Sequence, residues 1–138
     1  MTNVEIVKYI YEKFKHGDTQ SILRTYALGV EFRLAEGHPY QPSGHPWFGK
    51  DAITQHFFSK AVREWDWSIA LANVHDLGDT VVVEGRYKAV FKPTGKALDA
   101  QTCHVWKFKN GMVESFHRYA DTAQIQDVMT RERAAASS

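Results

Sequence analysis

Two side chains in this chain combine proton chemistry or fixed charge with a position that turns them inward. Between Leu98 and Lys109 the residues alternate, so Thr102, His104, Trp106 and Phe108 share one face while Cys103, Val105, Lys107 and Lys109 share the other. The first set is expected to face a pocket. A neutral His104 there donates one hydrogen bond to a developing oxyanion, and histidine is the side chain best able to move a proton near neutral pH. The plainer reading is an interior histidine satisfied by its neighbours. On the next strand Phe116, Arg118 and Ala120 share a face, and matching across the intervening turn points them inward too. A buried guanidinium keeps its proton and must be paired, either with a carboxylate on a ligand or with Glu84. Trp47, Trp106 and Phe116 would then enclose an apolar or aromatic ligand. The single cysteine, Cys103, has the wrong parity for that pocket and reads as filler. The spacing of His38, His45 and His104 matches no metal-ligand motif, so no metal is expected.

Helices and strands have to hold these residues in place. Asn3 can cap a helix whose apolar positions Ile6, Val7, Ile10, Tyr11 and Phe14 recur every three or four residues. Gly17 stops it, and Asp18 can cap a second helix with Ile22, Leu23 and Tyr26 on one face, ending at Gly29. Val30 to Leu34 reads as a short strand. From Glu36 to Gly49 the chain carries three prolines and three glycines, and is read as loop. Asp51 caps a third helix with Ile53, Phe57, Ala61 or Val62, and Trp65 on one side. Strands follow at Trp67–His75, Thr80–Phe91, Leu98–Lys109 and Met112–Ala120. Asn110-Gly111 is a strong two-residue hairpin signal. Asp121 caps a terminal helix with Ala123, Ile125 and Val128 periodic, and Ala134 to Ser138 is expected to fray.

The 138 residues suit a single domain, 1–138, with its core at about 4–129. A formal net charge of +1 gives no electrostatic case for nucleic acid. No apolar run approaches the roughly 20 residues of a membrane span, and Met1 to Glu5 lacks the basic start of a signal peptide. A cytoplasmic protein is the expectation, with a small molecule and a second copy of the chain as partners.

Several strings occur in a telling order: Gly17-Asp18, Phe48-Gly49-Lys50-Asp51-Ala52-Ile53, Val82-Val83-Glu84-Gly85-Arg86-Tyr87, Thr94-Gly95-Lys96, His104 through Gly111, and Tyr119-Ala120-Asp121-Thr122-Ala123. Together they resemble the nuclear transport factor 2-like (NTF2-like) superfamily, in its SnoaL-like, ketosteroid isomerase-related branch, over roughly Val4 to Met129. The resemblance implies an α+β fold: a cone-shaped, curved antiparallel sheet wrapped by three to four helices around a pocket, in a homodimer joined through the sheet. It does not fix activity, because members of this group differ in their chemistry and some have none.

The resemblance also assigns positions. His104 is similar in place to an oxyanion-hole aspartate of the isomerases. Their first-helix tyrosine would fall near Ile10 and their base near Leu34, neither of which can do that chemistry. Glu36 is the nearest carboxylate that would substitute, and a base there would need an apolar site to raise its pKa. Arg118 stands at or near the position of a carboxylate in several cyclases and epoxide hydrolases. The loop carrying His38, Tyr40, His45 and Trp47 falls at the implied pocket mouth, as lining or lid. The reading is therefore a cofactor-independent enzyme for isomerisation, dehydration or cyclisation, with His104, Arg118 and Glu36 at its centre. The alternative is a non-catalytic ligand-binding or association module. Dimerisation is expected through the opposite sheet face, at Tyr87, Phe91, Val105 and Tyr119.

Overall fold

The computed structural model describes residues 1–130, and the fraying expected for 134–138 lies outside that range. The first hydrophobic stripe forms helix α1 (Asn3–Lys15), burying Ile6, Val7 and Ile10. Its cap is Thr2 rather than Asn3. The Thr2 hydroxyl accepts from the Glu5 N–H at 3.1 Å and the Glu5 carboxylate accepts from the Thr2 N–H at 2.8 Å, a reciprocal capping box. Gly17, at φ +71°, ends the helical run, and Asp18 caps α2 (Thr19–Leu23) by accepting from the Ser21 N–H.

Here the sequence reading runs too long. The second helix stops at Leu23, and strand β1 (Tyr26–Arg33) takes the residues expected to continue it. Tyr26 and Phe32 pair with Val113 and Phe116 of the last strand, so tertiary pairing overrides a weak local helix pattern. The β1 register slips between Tyr26 and Glu31, leaving Leu28 exposed.

After the loop come β2 (Trp47–Phe48) and a helical stretch in three parts: α3 (Lys50–Ile53), a π-helical turn (Thr54–Phe58) and α4 (Ser59–Glu64). Gly49 rather than Asp51 precedes it as the cap residue. The π turn has a positional effect. A regular helix would turn Ile53, Phe57 and Ala61 inward, and the wider turn also brings Phe58 onto that side.

Strands β3 (Trp65–Asp76), β4 (Thr80–Phe91), β5 (Lys96–Lys109) and β6 (Met112–Ala120) form the antiparallel part of one sheet. The six-strand order is β2-β1-β6-β5-β4-β3. The β1–β6 pairing is parallel, which makes the sheet mixed. It bends at a bulge between Leu71 and Asn73 of β3, opposite Gly85 on β4. A Cβ on Gly85 would stand 2.7 Å from the Ala70 carbonyl oxygen, so only glycine permits this approach. Asn110 and Gly111 both take positive φ, as a type I′ hairpin requires. Helix α5 (Thr122–Met129), capped by Asp121 as expected, closes one end over Trp65, Phe91 and Leu98.

On β4 the residues that point inward are Val81, Val83, Tyr87, Ala89 and Phe91, all buried. Tyr87 and Phe91 therefore leave the expected dimer surface. Val105 and Tyr119 remain on the outer face, Tyr119 exposed and Val105 partly so.

Candidate functional site

Helices and sheet enclose a cavity of about 430 Å³. Its walls come from α1, α2, β1, the π turn and the inner faces of β3 to β6. The residues at its rim that reach solvent are Lys8, Glu12 and Lys15 on α1 and Ser68 and Leu71 on β3, so the mouth opens between that helix and that strand.

His104 stands on the inner wall and is 4% exposed. Two phenols hold it. The Tyr11 hydroxyl lies 2.6 Å from Nδ1 and the Tyr87 hydroxyl 2.5 Å from Nε2. The Trp106 indole N–H donates to the Tyr11 oxygen at 3.0 Å. Burial first, and then the Arg118 charge, push the His104 pKa well below the usual imidazole range. The ring is therefore neutral, with one N–H and one lone pair for its two partners. Burial likewise raises Tyr11 well above the phenol range. It raises Tyr87 as well, against the opposing effects of the Arg118 charge and the Thr102 hydroxyl. All three groups are uncharged at neutral pH.

Arg118 sits opposite His104 in the β5–β6 register and is also 4% exposed. Its guanidinium carbon lies 5.2 Å from the Phe57 and Tyr87 ring centroids and 5.6 Å from that of Trp67. These aromatic faces offset part of its desolvation. Its Nε and Nη1 are buried without a hydrogen-bond partner, and no ion pair among the described residues includes it.

The expected residues divide between the cavity and the outside. His104, Arg118, Trp106 and Phe116 come together there, as strand parity predicts. Glu84 does not join them: it is on the outer face, 2.6 Å from His75, and Arg118 has no Glu84 partner. Glu36 is exposed beside the His117 side of the sheet and is not part of the cavity lining. The loop of 34–46 is not at the mouth. His38 is buried and accepts from the Tyr40 N–H, Tyr40 donates to Glu64, and His45 is exposed. Trp47 stacks on Phe32 and His56 behind the cavity wall.

Tyr11, Tyr87 and Trp67 were missed as site residues. Tyr11 lies one residue beyond Ile10, on the inward stripe of α1, and a hydroxyl on such a stripe needs a partner inside. Tyr87 and Trp67 gave no comparable signal, because the phase of their strands is fixed only by pairing. Among the described residues, no group of three or more His, Cys, Asp and Glu side chains is placed to hold a metal ion.

The family model of the SnoaL-like domain matches residues 7–116. The chain belongs to the SnoaL-like family. No curated protein is found to match this SnoaL-like chain. Its fold is that of the NTF2-like proteins. One from Burkholderia thailandensis superposes with a TM-score of 0.84 at 27% identity, over 94% of this chain and 98% of that one. An NTF2-like protein of unknown function from Burkholderia pseudomallei gives 0.84 at 24% identity, over 93% and 97%. TerC, crystallised with polyporic acid, gives 0.80 at 22% identity, over 91% and 96%. Among the described residues, no helix is long and apolar enough to cross a membrane.

Proposed function

We propose that the chain is a cofactor-independent acid–base enzyme of isomerase type, acting on a small apolar ligand inside the cavity. The observation that carries this reading is the neutral His104 bridged between two phenols that both line the cavity.

The bridge has two tautomers. In the first, Nδ1–H donates to the Tyr11 oxygen, Tyr87 donates to Nε2, and the Tyr11 O–H is free to donate to a ligand. In the second, Tyr11 donates to Nδ1, Nε2–H donates to the Tyr87 oxygen, and the Tyr87 O–H is free. Suppose Tyr11 protonates one ligand position while the Tyr87 oxygen takes a proton from another. The Nδ1 proton then passes to Tyr11 and the former Tyr87 proton passes to Nε2. One proton has moved along the ligand, the ring has changed tautomer, and the protein carries no new charge. Proton exchange with solvent through the mouth restores the first form.

The binding-module reading keeps one observation in its favour: among the described residues Glu12, at the rim, is the sole carboxylate in the cavity lining, so none of them supplies a conventional carboxylate base inside it. The relay supplies a base without one. TerC, with its bound polyporic acid, supports the idea that folds of this kind accept a small acidic ligand. The assembly we propose is a homodimer in the cytoplasm, joined through the outer sheet face around Val105 and Tyr119.

Ligands that raise the melting temperature would be drawn from a panel of enones, lactones and aromatic acids, then followed for isomer formation by proton NMR. Wild type is expected to convert at least one of them, and Tyr11→Phe to lose about 10²-fold or more of that rate, the usual effect of removing a catalytic acid or oxyanion donor. A ligand that binds tightly and is returned unchanged would favour the binding module.

A further inference from the structure

The hydrogen-bonding capacity of the cavity is lopsided. The Tyr11–His104–Tyr87 bridge and the Trp106 N–H satisfy one another except for one phenol O–H, itself a donor. What remains is a set of donors: the Trp67 indole Nε1 and the Arg118 Nε and Nη1, all buried and all without a partner. Trp67 and Arg118 both line the cavity, with the guanidinium 5.6 Å from the Trp67 ring. The Trp65 indole N–H, the remaining unpaired buried nitrogen, meets the Tyr40 hydroxyl without closing a bond of normal geometry, and it lies outside the lining.

Unpaired buried donors are rare, and an unpaired buried charge is rarer still. Among the described residues no carboxylate pairs with Arg118: Glu84 is held by His75, Glu64 by Tyr40, and Glu12 by His16. Phe57, Trp67 and Tyr87 place rings around the guanidinium, which leaves the cavity as the direction from which an acceptor can reach it. The rim adds to this. Lys8 and Lys15 outnumber Glu12 there, so an approaching anion is attracted to the mouth.

We infer that Trp67 and Arg118 form a receiving site for a carboxylate, and that the ligand is a flat, apolar, aromatic mono-acid bound in its ionised form. One guanidinium matches one negative charge. A carboxylate brings acceptor capacity for the several N–H groups waiting there. Aromatic walls suit an aromatic body, and about 430 Å³ is near the lower end of ordinary ligand pockets. This inference rests on the cavity being the ligand site proposed above, but not on any conversion within it.

The test is calorimetric titration of the full chain with 2-naphthoate and with its methyl ester, which has the same body and no charge. Wild type is expected to bind the acid at least about tenfold more tightly than the ester, as a charge-assisted hydrogen bond implies. Arg118→Met should bring the two to within a few-fold of each other. Trp67→Phe, which keeps an aromatic wall, should weaken the acid several-fold and leave the ester nearly unchanged. A second readout concerns the empty protein: removing an unpaired buried charge should leave the melting temperature of Arg118→Met equal to or above that of wild type. The inference is overturned if the ester binds as well as the acid, if neither probe binds at millimolar concentration, if Arg118→Met keeps the preference for acid, or if that variant melts well below wild type. Conversion of a neutral ligand would uphold the relay while removing the carboxylate. Tight binding of acids without conversion would do the reverse.

Discussion

Burial gives His104 and His38 their character, and it also makes the protein sensitive to acid. His38 is 1% exposed and its pKa falls to about 3, through desolvation first and the Arg118 charge second. His104 shifts in the same direction for the same reasons. An unfolded chain binds these two protons below about pH 6.5, whereas the folded chain refuses them until far lower. The unfolded state therefore holds more protons across that window, so stability is complete above about pH 6.5 and declines as the pH falls toward 3. We expect the melting temperature to drop between pH 6.5 and 4, and His38→Gln to flatten that slope, measured by calorimetry across the range; a variant with an undiminished slope would show that His38 is not held neutral. At this scale the sequence was informative where parity could be counted from Asn110-Gly111, which placed His104, Trp106, Phe116 and Arg118 on the correct face. It misled at Glu84 and Glu36, because a carboxylate's reach depends on strand phase and loop path, and neither is encoded locally.

Two irregularities give the elements their function. The π turn adds a residue to the helical segment and brings both Phe57 and Phe58 to the wall, the first of them against Arg118. The bulge at Leu71–Asn73 bends β3 over β4, with Gly85 at the point of contact. Gly85→Ala would press a methyl group onto the Ala70 carbonyl, a backbone atom that cannot swing away. We expect a loss of about 1–3 kcal/mol, the usual cost of overpacking, read by urea denaturation; unchanged stability would mean that the sheet opens freely there. Hydrophobic periodicity revealed the third helical stretch, which ends at Glu64 with Trp65 already in β3, and the four long strands. It could not show a π turn, which differs from an α-helix by one residue, nor that β1 begins at Tyr26, where a parallel partner far along the chain decides the matter.

For the whole molecule, the order of helices, loops and strands was readable from periodicity and turn signals, while the curved sheet around a pocket was expected from the family resemblance that this order and its strings carry. The side from which the pocket opens could not, since it depends on how α1 lies against β3. The outer face carries Val90, Val105 and Tyr119 among charged groups that already satisfy one another, such as Arg86 and Lys88 on Asp99. A homodimer through this face is the expected assembly, with Tyr119→Asp shifting it to monomer in size-exclusion chromatography with light scattering. A wild-type monomer at micromolar concentration would contradict it.

The central claim is that Tyr11, His104 and Tyr87 pass a proton along a bound ligand, and its most direct test is conversion in deuterated water. Before each turnover the free phenol exchanges with solvent through the mouth, so the relay predicts product with a single deuterium at the newly protonated position. It also predicts that His104→Gln, which can still hydrogen-bond but cannot pass a proton through, binds the ligand and fails to label it. A ligand that is bound by wild type and returned unlabelled and unchanged, or labelled equally well by His104→Gln, would contradict the account.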